Sequence, residues 1–196
     1  MVITVLDYGA GNLKSITNML EALGCEYKIT DKKAEITDAE RLILPGVGHF
    51  EQFMGALNSK DLTDSLIKTI KSGIPFLGIC LGLQVLFEES EEAPGVKGLG
   101  IFSGKVARFT QGKVPQIGWN KLKTTSNNSI LSDDYVYFVN SYHAIPEDKS
   151  IISAYANYYT DFTASIEHEN IFAFQFHPEK SGEVGYSFLN KWLKAF

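Results

Sequence analysis

Cys80 stands in the middle of Gly78-Ile79-Cys80-Leu81-Gly82, directly after the apolar run Ile74-Pro75-Phe76-Leu77. A nucleophile with a glycine two residues to either side, at the end of a buried strand, reads as an elbow. The small residues let the chain turn sharply into a helix and leave the middle side chain at the tip. Most buried cysteines are inert, so the reading depends on what else the chain supplies. The helix expected after the turn favours a thiolate through the positive end of its dipole. Far along the chain, Gln175-Phe176-His177-Pro178-Glu179-Lys180 offers an imidazole and a carboxylate two residues apart, after another apolar strand. A histidine before a proline turn is common on its own, but Cys80, His177 and Glu179 at the ends of separate strands are the parts of an acyl-transfer enzyme.

These groups need a scaffold that brings residues 80 and 177 together. Residues 2–6 are β-branched or apolar throughout, as in a strand buried on both faces. Helical spacing follows over 13–23 (Leu13, Ile16, Leu20, Leu23) and stops at Gly24. Short strands are expected over 25–30 and 41–44, the second ended by Pro45-Gly46-Val47-Gly48. Helices are expected over 50–57 and 62–71, the nucleophile strand over 74–79, and a helix behind it over 81–89. Beyond this the β/α alternation gives way to extended segments over 104–109, 114–122, 135–139, 151–156, 162–167 and 171–176, and residues 185–196 close as a helix. The expectation is an α/β domain spanning 1–196, with a central mixed, largely parallel sheet flanked by helices, an antiparallel C-terminal portion and sites at the carboxyl ends of strands.

A chain of 196 residues can bury roughly 70% of its unfolded surface in one core. A net charge of −5 argues against nucleic acid or an anionic membrane as the main partner. The N-terminal stretch lacks a basic region and reads as a first strand, not a signal peptide. Two cysteines, Cys25 and Cys80, make no disulfide framework, so a reducing, cytoplasmic setting is expected.

The segments Pro45-Gly46-Val47-Gly48, Gly78-Ile79-Cys80-Leu81-Gly82-Leu83-Gln84 and Gln175-Phe176-His177-Pro178-Glu179-Lys180-Ser181, in this order, resemble the class I glutamine amidotransferases. Within that family the chain is similar to the glutaminase subunits of imidazole glycerol phosphate synthase. That finer similarity rests on Asp7-Tyr8-Gly9-Ala10-Gly11-Asn12, on Pro-Gly-Val-Gly in place of Pro-Gly-Gly, and on Ile117-Gly118-Trp119-Asn120. Phe138-Val139-Asn140-Ser141-Tyr142-His143 also fits, although those subunits more often carry His where Asn140 stands.

The resemblance implies hydrolysis of L-glutamine to glutamate and ammonia. Cys80 would attack the side-chain carbonyl, His177 would serve as base and then acid, and Glu179 would orient the imidazole. The oxyanion donors would be the N–H of Leu81 and that of Val47 or Gly48, whose peptide would flip to present it. Gln84, one turn after the nucleophile, would hydrogen-bond substrate, and Glu92 would pair with its ammonium. Ser141 and Tyr142 would contact its carboxylate, through backbone or hydroxyl. Glu92 lies in a run with Glu88, Glu89 and Glu91, and its selection rests on family position alone.

His49 and His143 adjoin motif turns and read as pocket-rim residues, and His168 as a surface turn. Their spacing implies no metal. Cys25 reads as a core or edge residue. Gly9-Ala10-Gly11 has Lys14 where a dinucleotide loop needs its third glycine, and no cofactor is expected. Free ammonia becomes non-nucleophilic ammonium in neutral water, so the reading calls for a synthase to receive it. By resemblance this is a (β/α)₈-barrel cyclase, joined as a heterodimer and passing ammonia through its core to make imidazole glycerol phosphate and aminoimidazole carboxamide ribotide. Tyr8, Asn12, Trp119, Asn120 and Lys180 are the docking candidates, although Trp119 equally reads as core and Lys180 as a solvated charge. Three other readings are a paralogue serving a different synthase such as a sugar-modifying enzyme, a cysteine peptidase on a related fold, and a binding module without activity.

Overall fold

The computed structural model describes residues 2–9 and 13–196. In chain order the elements are β1 (Ile3–Leu6), α1 (Leu13–Ala22), β2 (Tyr27–Thr30), α2 (Lys33–Thr37), β3 (Arg41–Gly46), α3 (Phe50–Ser59), α4 (Thr63–Lys71) and β4 (Phe76–Cys80). There follow α5 (Leu81–Gln84), β5 (Glu89–Ser90), β6 (Gly104–Arg108), β7 (Gln116–Thr124), β8 (Tyr135–Asn140), β9 (Tyr142–Pro146), β10 (Ile152–Tyr158), β11 (Thr160–His168), β12 (Ile171–Phe174) and α6 (Gly182–Lys194). Nine strands form one mixed sheet in the order β2-β1-β3-β4-β12-β11-β10-β7-β8, and β5, β6 and β9 form a smaller one. The large sheet is parallel from β2 to β12 and antiparallel from β12 to β8.

Strict alternation along the central strands fills both faces of this sheet. Leu42, Leu44 and Phe76 pack with Phe50, Phe53 and Leu57 of α3 and Leu66 and Ile70 of α4. Ile43, Leu77 and Ile79 point the other way, to Ile16 and Leu20 of α1 and to Phe188, Leu189 and Trp192 of α6. The apolar run before Cys80 is thus a strand covered on both sides, which holds its carboxyl end rigidly.

Three local expectations need correction. The helix foreseen over 81–89 ends after Gln84, because the carbonyls of Val85, Leu86 and Phe87 accept from the N–H groups of Leu99, Ile101 and Gly100. Glu89–Ser90 then runs as β5 beside β6. Residues 142–146, not foreseen as extended, pair with β6 as β9, so the chain passes from the large sheet to the small one at Ser141. Lys33–Thr37 form a short helix where no apolar period signals one.

Candidate active site

β3, β4 and β12 lie side by side and end together, and the site is built on those three ends. Register pairs Gly46 with Cys80 across β3 and β4, and Phe174 with Ile79 across β4 and β12. Cys80 has φ 54° and ψ −108°, a backbone conformation that costs a residue bearing a Cβ on the order of 1 kcal/mol or more. The neighbouring glycines are there because the chains nearly touch. A Cβ on Gly82 would lie 2.0 Å from the carbonyl oxygen of Leu44, and one on Gly78 2.7 Å from that of Gly82. The strained turn aims Cys80 into a cavity of about 450 Å³, the size of a small-molecule site.

His177 Nδ1 and Glu179 Oε1 are 2.7 Å apart, with both side chains 4% exposed. His177 lines the cavity with Cys80. Burial pulls the His177 pKa down. The charge and hydrogen bond of Cys80, then those of Glu179, outweigh this, and the pKa is pushed up to about 10. An imidazole held protonated beside a sulfur, with its other nitrogen fixed by a carboxylate, is arranged to take a proton and return it.

Val47, Gly48, Leu81, Gln84, Glu92, Ser141, Tyr142 and Lys180 line the same cavity. Gln84 Nε2 donates to the Tyr142 carbonyl at 3.0 Å and to Gln175 Oε1 at 2.9 Å. Glu92 Oε2 accepts from the Phe50 N–H at 2.8 Å, which anchors the carboxylate at the start of α3. Asn140 Nδ2 donates to the Tyr142 carbonyl at 3.0 Å, while its Oδ1 is buried without a partner among the described residues. Gly48, with φ 99°, gives the chain after β3 a conformation that favours glycine.

Several expectations fare differently. The N–H of Val47 is donated to the Tyr8 hydroxyl at 3.0 Å, so in this conformation it is already engaged. Tyr8 is 2% exposed, with its ring 4.1 Å from that of Phe53, so it belongs to the core rather than to a docking face. Asn12 lies outside the described residues. Trp119 is 55% exposed, which rules out the core reading for it. Its neighbour Asn120 donates to the Asn157 carbonyl at 2.6 Å. Neither His49 nor His143 lines the cavity: His49 Nδ1 accepts from the Glu51 N–H to cap α3, and His143 stacks on Phe109 at 4.7 Å, where burial pushes its pKa down. His168 is exposed at the end of β11, and Cys25 is half-buried. Among the described residues no three His, Cys, Asp or Glu are grouped as metal ligands.

One site residue escaped the sequence reading. Gln175, fully buried, reaches from Gln84 to Cys80. Its signal is the single amide in Ile171-Phe172-Ala173-Phe174-Gln175-Phe176, a polar group in a run that otherwise fills a core.

Residues 4–195 match the family described as glutamine amidotransferase class-I. The chain is 43% identical to the imidazole glycerol phosphate synthase subunit HisH of Geobacillus thermodenitrificans, over 98% of this chain and 95% of that one. It is 50% identical to the chloroplastic imidazole glycerol phosphate synthase hisHF of Arabidopsis thaliana, over 98% of this chain but only 34% of that protein. A solved glutamine amidotransferase shares the fold, with a TM-score of 0.79 at 20% identity, over 99% of this chain and 98% of that one. Since both the family match and the HisH similarity run through nearly all of the sequence, the chain belongs to the class I glutamine amidotransferase family, on the branch of the imidazole glycerol phosphate synthase HisH subunits.

Proposed function

We propose that the chain hydrolyses L-glutamine through a thioester on Cys80 and passes the ammonia to an imidazole glycerol phosphate synthase cyclase of (β/α)₈-barrel fold, with which it pairs as a heterodimer. The observation that carries the chemistry is the 2.7 Å His177–Glu179 contact, with His177 lining the same cavity as Cys80. The Cys80 thiolate adds to the carboxamide carbon, and the resulting oxyanion is met by the N–H of Leu81 and by a donor from Val47 or Gly48. Protonated His177 gives its proton to the departing nitrogen as the C–N bond breaks, releasing ammonia and leaving the glutamyl thioester. Neutral His177 then takes a proton from water, whose oxygen attacks the thioester, and Cys80 leaves with glutamate released. Gln84, Glu92, Ser141 and Tyr142 hold the amino-acid end of the substrate.

The docking reading draws on the outward face of β7 and β8. Ile117, Trp119 and Tyr135 are exposed there, the register sets Ile117 opposite Val139, and Val139 itself lines the cavity. An apolar patch reaching the rim of an ammonia-producing site suits a partner that must receive ammonia before water does. Lys180, exposed on the same rim, supplies a charge for the contact. No described helix is long and apolar enough to cross a membrane. The free thiol of Cys80 suits a reducing, cytoplasmic setting.

The test is glutamate release by the purified chain, alone and with the barrel cyclase and its nucleotide ligand. Slow turnover that rises strongly with the liganded cyclase supports the full reading. Turnover that ignores this partner retains the glutaminase and removes the cyclase.

A further inference from the structure

Gln175 has no part in the reaction as set out above, yet it touches both the nucleophile and a substrate-binding residue. It stands one step beyond Phe174, whose partner across β12 and β4 is Ile79, so the register carries it alongside Cys80. Its main-chain N–H is held by the Ala164 carbonyl at 2.8 Å. Its side-chain Nε2 lies 3.7 Å from Cys80 Sγ, and its Oε1 accepts from Gln84 Nε2 at 2.9 Å.

A side-chain amide can be turned end for end, so the direction of such a chain needs an anchor. The anchor is the main-chain carbonyl of Tyr142, which can only accept. It takes a hydrogen bond from Gln84 at 3.0 Å, which fixes the NH₂ group of Gln84 inward. The second hydrogen of that NH₂ needs an acceptor, which sets Oε1 of Gln175 toward it. The end of Gln175 left to face the sulfur is then its own NH₂ group. The polarity of the strand crossing at Ser141 is thus transmitted through two amides to the nucleophile.

On the glutaminase reading above, the geometry points to Gln175 as a positioning residue with two effects. Its N–H group stabilises negative charge on Cys80 Sγ, and its carbonyl locks Gln84 so that Oε1 is the polar atom Gln84 offers to a ligand. An acceptor there suits the N–H groups at the amino-acid end of glutamine, which Gln84 helps to hold. The donor matters the more because α5 is a single turn (Leu81–Gln84), and a helix that short gives Cys80 little dipole to draw on.

The test uses Gln175→Met, of similar length with neither donor nor acceptor, and Gln175→Glu, which keeps an acceptor for Gln84 and removes the donor. Alkylation of Cys80 by iodoacetamide is followed by peptide mapping across pH, beside glutamine turnover. The expected result is an alkylation profile moved up by about one pH unit in Gln175→Met and further in Gln175→Glu. The kcat for glutamine should fall roughly tenfold to hundredfold, with a smaller change in KM. Profiles that coincide with wild type in folded variants overturn the proposal, even if turnover falls, and assign Gln175 to packing. Where Gln175→Met does not fold, the near-isosteric Gln175→Glu decides. If the wild-type chain and its complex release no glutamate, the glutaminase reading fails, while the alkylation profiles still decide whether Gln175 acts on the sulfur.

Discussion

The hydroxyl of Tyr8 grips Val47 from both sides, donating to its carbonyl at 2.9 Å and accepting from its N–H at 3.0 Å. Burial raises the phenol pKa, so the hydroxyl keeps the proton it donates. A peptide at Val47 that rotates to offer an N–H to an oxyanion must break at least one of these bonds. Each is worth about 1 kcal/mol, against roughly 3 kcal/mol for an oxyanion donor. Tyr8→Phe removes both bonds and keeps the ring against Phe53. Glutamine hydrolysis without a partner should rise by about tenfold, and the further gain from the cyclase should shrink. A drop in unpartnered turnover would mean that the grip supports the active conformation instead.

Cys80→Ala should abolish glutamine turnover and leave ammonia-dependent synthesis by the complex intact, because the receiving chemistry belongs to the partner. The glutamine-dependent and ammonia-dependent assays on one preparation give the answer. Loss of both activities would show that residue 80 maintains the fold rather than attacking the amide.

The protonation of His177 sets the pH range. Burial lowers its pKa, but Cys80 and Glu179 raise it further, to about 10. A raised pKa means the imidazolium that protonates leaving ammonia persists through neutral pH and is lost as pH climbs through that value. Turnover should therefore hold across the neutral range and decline on the alkaline side. Glu179→Gln removes one of the upward pulls, so its alkaline limb should move to lower pH. An unmoved limb would show that another group controls it.

What the sequence made legible is what close contact forces. The glycines around Cys80 are required because β3, β4 and α5 approach within contact distance, and the unbroken apolar runs of β3 and β4 follow from burial on two faces. Those constraints are local, so the elbow and its strand could be read from the order of residues. The short length of α5 could not, since the carbonyls that would continue it are taken by residues 99–101, far along the chain. The place of Gln175, and the hold on Val47 of Tyr8, read from sequence as a docking residue, were missed for the same reason. Their partners, Val47 and the Gln84–Cys80 pair, come close only once three strand ends are aligned.

Trp119 is 55% exposed, with an edge contact to Tyr137 at 5.9 Å between ring centroids. Truncating it should leave the isolated chain within about 0.5 kcal/mol of wild-type stability. A large aromatic at the centre of an interface is commonly worth 2 kcal/mol or more, so Trp119→Ala should weaken the complex by about thirtyfold. Calorimetric titration of the cyclase, with thermal melts of the free chain, separates the two effects. Equal affinity for both proteins would move the docking face away from β7.

Gly82 tests the rigidity of the elbow. A methyl group there would be 2.0 Å from the Leu44 carbonyl oxygen, a main-chain atom that cannot swing aside. Gly82→Ala must therefore push α5 away from β3, at a cost of about 1–3 kcal/mol. Gly55 in α3 has nothing among the described residues within 4 Å of its would-be Cβ, and its replacement by alanine should stabilise that helix by up to about 1 kcal/mol. The pair of variants should melt on opposite sides of wild type, and only Gly82→Ala should lose glutamine turnover, because displacing α5 moves the Leu81 N–H relative to Cys80. If Gly82→Ala melts and turns over like wild type, the elbow tolerates movement, and the close approach of β3 to α5 does not hold the nucleophile in place.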